Sequence, residues 1–134
     1  METMRIFIAC ADEKLRLALL MLLDNQPGMA VVGFSDRIPG LLTQLEGSQP
    51  DVLLLNWDIT VESIAVLFTD LHALERQPKV IVLSTTPQIM ETALAAGADF
   101  FICKDSPPDK LLTALNDIRL SEIRKKQEGR ETKP

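Results

Sequence analysis

A chain of 134 residues, 46% hydrophobic and 25% charged, has room for one soluble domain with a full apolar core. Its net charge of −5 gives no general attraction for nucleic acid, so direct nucleic-acid contact by this domain is not expected. No apolar stretch approaches the ~20 residues of a membrane span, and the start Met1-Glu2-Thr3-Met4-Arg5 lacks the basic region and apolar core of a signal peptide, so a cytoplasmic location is expected.

The first apolar run, Ile6-Phe7-Ile8-Ala9-Cys10, reads as a strand. Leu15, Leu19, Leu22 and Leu23 then form an apolar helical stripe, with Asp12 placed to cap its start. The second run, Val31-Val32-Gly33-Phe34, is short and suits a strand near a sheet edge. A weak helix over 38–46, with Pro39 and Gly40 early in it, leads to the third run, Val52-Leu53-Leu54-Leu55, which Asn56 closes. A third helix carries Ile64, Leu67, Leu71 and Leu74 on one face and has Thr60 as its candidate cap; His72 within it reads as a lone exposed histidine.

Val80-Ile81-Val82-Leu83 is the fourth strand-like run, ending at Ser84, and Phe100-Phe101-Ile102-Cys103 is the fifth. Helices are expected to start at Thr86-Pro87 and at Ser106-Pro107. In each pair a hydroxyl can cap free N–H groups, and a proline has no N–H to satisfy in the first turn. Gly97 is placed to end the fourth helix. Leu111, Leu115 and Ile118 mark the fifth. After Leu120 the composition turns polar, so the last helix is expected to run on for only a turn or two. Residues 1–121 read as the domain and 122–134 as a charged tail or the start of a linker.

Strand and helix signals thus alternate five times. Continuous rather than alternating apolarity implies strands buried on both faces, hence a parallel sheet. Right-handed crossovers then put helices on both faces, a three-layer doubly wound α/β fold. Asn56 falls at the carboxyl edge of such a sheet, where these folds bind ligands. The two cysteines, Cys10 and Cys103, give neither a disulfide framework nor a four-ligand metal spacing and read as buried reduced thiols.

Three segments carry a resemblance. They are Gln26-Pro27-Gly28-Met29-Ala30-Val31-Val32-Gly33, Gln49-Pro50-Asp51-Val52-Leu53-Leu54-Leu55, and Ala95-Ala96-Gly97-Ala98-Asp99-Phe100-Phe101-Ile102-Cys103-Lys104-Asp105. In order and spacing they resemble the receiver domains of response regulators, above all those of the LuxR/NarL-type transcription regulators, over residues 4–119. The resemblance implies a flavodoxin-like (CheY-like) sheet with strand order 2-1-3-4-5. Receivers accept a phosphoryl group from a sensor kinase. They use an acidic pair that binds Mg²⁺, an acceptor aspartate, a Ser or Thr, a Lys, and an aromatic three residues before that Lys.

Carried over position by position, the resemblance puts Ser84 at the hydroxyl, Lys104 at the lysine and Phe101 at the aromatic. The acceptor position holds Asn56, and the acidic pair falls on Cys10 and Ala11. An amide is no nucleophile toward phosphorus, and loss of the acidic pair removes the carboxylates that hold Mg²⁺. Mg²⁺ binding is therefore expected to be lost, with no other cofactor implied and no enzymatic activity. Lys104, without its usual partner, is expected to reach solvent or to pair with Asp58 or Asp12.

The leading expectation is an atypical receiver, a signalling and interaction module of two-component type that is not phosphorylated. Its expected partners are proteins: a sensor kinase, an output domain or a second copy of itself. In the family, dimers form through the first and fifth helices, or through the face of the fourth helix, fifth strand and fifth helix; here Ile89, Met90, Ala93 and Leu94 supply apolar side chains. The LuxR/NarL likeness also implies a C-terminal helix-turn-helix output domain outside these residues. A second expectation is a phospho-accepting receiver in which Asn56 is an engineered change or is compensated by Asp12, Glu13 or Asp58. A third is a ligand or redox sensor using Cys10.

Overall fold

A computed structural model of the chain describes residues 3–59 and 64–131. Among them, five strands and five α-helices alternate: β1 Met4–Ala9, α1 Glu13–Asp24, β2 Met29–Ser35, α2 Leu41–Ser48, β3 Val52–Asn56, α3 Ile64–His72, β4 Lys79–Ser84, α4 Ile89–Ala96, β5 Phe100–Cys103 and α5 Pro108–Glu131. A 3-10 turn, Trp57–Ile59, follows β3. The chain divides at Lys104 into two compact units, the first with all five strands and four helices, the second with α5.

The strands form one parallel sheet in the order β2-β1-β3-β4-β5. The order and the parallel pairing are those the resemblance implied. Alternation sorts the side chains into two layers. Phe7, Ala9, Leu53, Leu55, Val80 and Val82 join Leu41 and Leu45 of α2, Leu67, Phe68 and Leu71 of α3, and Ala93 of α4 in one buried cluster. Ile6, Ile8, Cys10, Leu54, Asn56 and Ile81 alternate to the other face and are also fully buried. Burying both faces is what the unbroken apolar runs required.

Several boundaries follow expectation for the expected reason. The Asp12 carboxylate accepts from the N–H groups of Lys14 (3.0 Å) and Leu15 (3.3 Å), capping α1. Gly97 ends α4 at φ 124°, a backbone that L side chains rarely adopt, and its N–H bonds back to the carbonyls of Ala93 and Leu94. A side chain there would also run into the His72 ring.

Other boundaries differ. Thr86 does not cap α4, which starts at Ile89 with no side-chain cap on Gln88. Instead the Ile89 N–H donates to the Thr86 carbonyl and the Met90 N–H to the Pro87 carbonyl, each at 3.1 Å. Backbone oxygens in a tight turn thus do what the hydroxyl was expected to do. Pro108, not Pro107, opens α5. The helix over 38–46 is displaced to Leu41–Ser48, entered through Gly40 at φ 84°. α5 continues to Glu131, three turns past Leu120, because charged residues with good helix propensity extend a helix already nucleated. Thr60 lies outside the described residues.

The edge strand β2 carries a bulge. β1 and β2 pair in step up to Ile6 and Val31, after which Phe7 faces Gly33 and Val32 is the extra residue. A Cβ on Gly33 would stand 2.8 Å from Phe7 Cε2, so the buried Phe7 ring requires a glycine beneath it.

Candidate functional site

Asn56 is the last residue of β3, fully buried, and faces the layer opposite the large apolar cluster. Its neighbour is Cys10, one residue past the end of β1 and equally buried. The Asn56 Nδ2 donates to Cys10 Sγ at 3.4 Å, and the Cys10 thiol donates to the Asp12 carbonyl at 3.3 Å. A relay therefore runs from the end of β3 through a thiol to the β1–α1 loop, where the Asp12 carboxylate caps α1. Burial, the largest influence on the thiol, pushes its pKa above the ordinary cysteine value, and the nearby Asp58 charge acts in the same direction. Burial thus favours the protonated thiol of Cys10.

The Asn56 amide has a second end. Its Oδ1 is buried and meets no hydrogen-bond donor. An orphaned buried acceptor costs roughly 1–3 kcal/mol and is rare in folded proteins.

Ser84 ends β4 and Lys104 follows β5 at the same edge of the sheet. Asn56 is in register with Leu83, and Ser84 is the next residue, ending β4 with 4% of its surface exposed. Ser84 Oγ accepts from the Thr86 N–H at 3.1 Å, and the Ser84 carbonyl accepts from the Lys104 N–H at 2.9 Å. Lys104 follows β5 two residues after Ile102, which is level with Leu83, so alternation returns it to the face of Asn56. Its side chain is half-buried.

The expected pairing of Lys104 with Asp12 or Asp58 is not made. Among the described residues no carboxylate lies within 4.0 Å of its ammonium. Asp12 is occupied with the α1 N-terminus, and Asp58 is exposed on the 3-10 turn. A half-buried lysine keeps water on its head group and needs no partner.

The remaining candidate positions are accounted for individually. Ala11 is exposed and has no side-chain donor or acceptor. Glu13 is exposed in the first turn of α1. Phe101 packs against the large apolar cluster. Cys103 is free and half-buried, so the expectation of a buried thiol holds for Cys10 and not fully for Cys103. His72 is exposed, as expected. One participant went unread in the sequence: Arg16 donates to the Cys10 carbonyl at 3.0 Å and lies 5.1 Å over the Phe34 ring. Its place in the first turn of a helix that follows a site loop was the available signal.

The donor set does not fit Mg²⁺. This ion takes oxygen ligands, usually one or two carboxylates among them. The three positions that would surround it supply a thiol, a methyl group and a single amide oxygen. Among the described residues no group of three or more His, Cys, Asp or Glu is arranged to hold a metal. No helix among them is long and apolar enough to cross a membrane.

Comparison with known proteins agrees with the fold. The model of the response regulator receiver domain matches residues 6–116. A transcriptional regulatory protein of Bacillus subtilis (strain 168), YvfU, itself uncharacterized, is 32% identical over 113 residues, covering 83% of this chain and 56% of that protein. The chain thus spans little more than half the length of this relative. Among solved structures, the signal receiver domain of a response regulator termed NarL from Mycobacterium tuberculosis superposes with a TM-score of 0.77 at 25% identity, covering 87% of this chain and 96% of that one. A DNA-binding response regulator of the LuxR family from Staphylococcus aureus matches with a TM-score of 0.75 over 86% of this chain and 98% of that one; at 19% identity it speaks for the fold alone. With the sheet order, the edge that carries the polar residues and a family match over most of its length in agreement, this chain belongs to the response regulator receiver domain family.

Proposed function

We propose that this domain is a pseudo-receiver, a non-enzymatic signalling module of two-component type that keeps the receiver fold and has lost phosphoryl acceptance. The observation that carries the reading is the buried Asn56–Cys10 contact, 3.4 Å long, at the two positions where an acceptor carboxylate and a metal-binding acid would stand. An amide oxygen lacks the localised charge that attacks phosphorus. Cys10 and Ala11, at the acidic-pair positions, offer no carboxylate to hold a metal that would spread the charge of a transferred group.

The alternative of a working receiver needs a substitute carboxylate. Asp12 is engaged as a helix cap, Glu13 is exposed on α1, and Asp58 is exposed on the turn past Asn56. The alternative of a redox sensor needs a reactive thiolate, and burial of Cys10 favours the protonated thiol.

Signalling then rests on contacts with other proteins: a kinase, an output domain or another receiver. Met90 and Leu94, one turn apart on α4, are 45% and 43% exposed while Ala93 between them is buried, so part of that helix offers apolar surface beyond core packing. A longer parent with a DNA-binding output domain fits the length difference from the Bacillus relative. Residues 1–121 would then be the receiver and 122–134 the lead into a connection.

Incubation with Mg²⁺ and acetyl phosphate, followed by intact mass measurement, tests the reading. The expected result is an unchanged mass. A gain of one phosphoryl group overturns it, and peptide mapping to Asp12, Glu13 or Asp58 would name the substitute acceptor.

A further inference from the structure

We propose that the outward face of α1 is a docking surface for a second copy of this chain, the two α1 helices packing antiparallel about a two-fold axis at the level of Leu19. The proposal does not depend on whether the carboxyl edge of the sheet accepts a phosphoryl group.

Its basis is a helix apolar on both sides. From Leu15 to Leu23 eight of nine residues are apolar, Arg16 being the exception. A helix on a domain surface ordinarily keeps one apolar stripe and turns a polar face to water. Leu19 and Leu23 make the inward stripe and are buried. Leu17 and Met21 lie on the opposite side, 50% and 68% exposed, with exposed Ala18 beside them. Lys14 and Asp24 continue that line at its two ends. Both are exposed, and neither makes an ion pair among the described residues. The spacing of Lys14, Leu17, Met21 and Asp24 is that of a seam along which one helix packs on another.

The occupant follows from the symmetry of this line. A two-fold contact needs a surface that complements itself. Turned end over end about Leu19, Leu17 falls level with Met21 of the second copy, and Lys14 with its Asp24. Glu13 falls level with the second copy's Asn25, a neutral amide. Apolar meets apolar, and each cation meets an acid.

The two end charges also oppose their own helix. A helix favours acids in its first turn and cations in its last. Asp12 and Glu13 obey this rule, whereas Lys14 stands in the first turn and Asp24 is the last residue. In an antiparallel pair each stands beside the opposite pole of the neighbouring helix, where its sign is favoured. This contact differs from a pairing of first with fifth helices, since α5 contributes nothing to it. One helix pair is small for a specific interface, so the dimer is reversible, with a Kd on the order of 100 μM.

Sedimentation equilibrium of the whole chain, without phosphodonor, from about 10 μM to about 1 mM tests the surface. A monomer–dimer equilibrium is expected. The double change Leu17→Gln and Met21→Gln, at exposed positions, should weaken it at least about tenfold. Lys14→Glu and Asp24→Lys should each weaken it about fivefold, and the two together should restore it to within about twofold. Neither reversal should lower the melting temperature, because each suits the dipole of its own helix. A monomer at every concentration overturns the proposal. So does a dimer indifferent to the Leu17 and Met21 changes, a charge reversal that its counterpart fails to rescue, or a dimer lost instead on Met90→Gln and Leu94→Gln, which places the contact on α4.

Discussion

The two edges of the sheet treat polar side chains in opposite ways. At the amino edge, two aspartates each precede a strand and clasp its neighbour. Asp51, ahead of β3, accepts from the Arg5 N–H of β1 at 2.8 Å and pairs with Arg76 at 2.5 Å, while its own N–H donates to the Arg5 carbonyl. Asp99, ahead of β5, repeats the device on β4, accepting from the Val80 N–H at 2.8 Å and donating to the Val80 carbonyl. At the carboxyl edge Asn56 carries an amide, Cys10 a thiol and Ala11 no polar group, and among the described residues Lys104 has no ion pair and Asn56 Oδ1 no donor. Paired acids thus tie strands together at the amino edge, whereas β3 and β1 end at the carboxyl edge in an amide and a thiol.

The largest expected change tests the carboxyl edge. Asn56→Asp alone should still give no phosphoryl adduct with Mg²⁺ and acetyl phosphate, because no carboxylates hold the metal. The triple variant Cys10→Asp, Ala11→Asp and Asn56→Asp should pass from no adduct to a substantial fraction modified, read by intact mass. Full modification of Asn56→Asp on its own would show that the acidic pair is dispensable here.

Next in size is a contrast in stability. Asp51→Ala removes a charge-assisted bond to a backbone N–H and an ion pair, and should cost about 2–3 kcal/mol in urea unfolding. Asn56→Leu removes an unsatisfied acceptor along with one weak bond to sulfur, and should stay within about 1 kcal/mol of the parent. Equal losses for the two would erase the distinction between the edges. Asp99→Ala should fall between them, at about 1–2 kcal/mol, because its Lys79 contact is long at 3.9 Å and half-exposed.

The smallest effect concerns pH. A thiol whose pKa is raised on folding keeps its proton longer than the unfolded chain does. Its contribution to stability is complete below the ordinary cysteine value and is lost as pH climbs from there through the raised folded value. Thermal melts taken from about pH 7 to about pH 10 should show a decline in the alkaline range that Cys10→Ser makes shallower. A decline of the same slope in the variant would assign it to other groups.

Much of this fold was legible because its signals are local. β5 falls at Phe100–Cys103 as read, and Asp12 and Gly97 bound their helices by caps that a single residue type provides. The starts of α4 and α5 were misread because a Thr-Pro or Ser-Pro pair marks a turn as readily as a cap, and backbone carbonyls decided the matter. The length of α5 was underestimated because polar composition says little about where a nucleated helix stops. At the site, the places of Asn56 and Cys10 at the carboxyl edge were readable from position. Their mutual contact was not, since it joins residues 46 apart in sequence through a thiol that the pattern presented as core filler. The aspartate clasps had a signal that went unused: an acid, a poor strand former, directly ahead of two apolar runs, in Pro50-Asp51-Val52 and Ala98-Asp99-Phe100.

The amide at the end of β3 also bears on time. A carboxylate that takes up phosphorus stores an event, because the acyl phosphate outlasts the encounter that made it. On the pseudo-receiver reading an amide at that place stores nothing. Under that reading the domain would follow its partners at the pace of their association and dissociation and keep no record once the stimulus has gone.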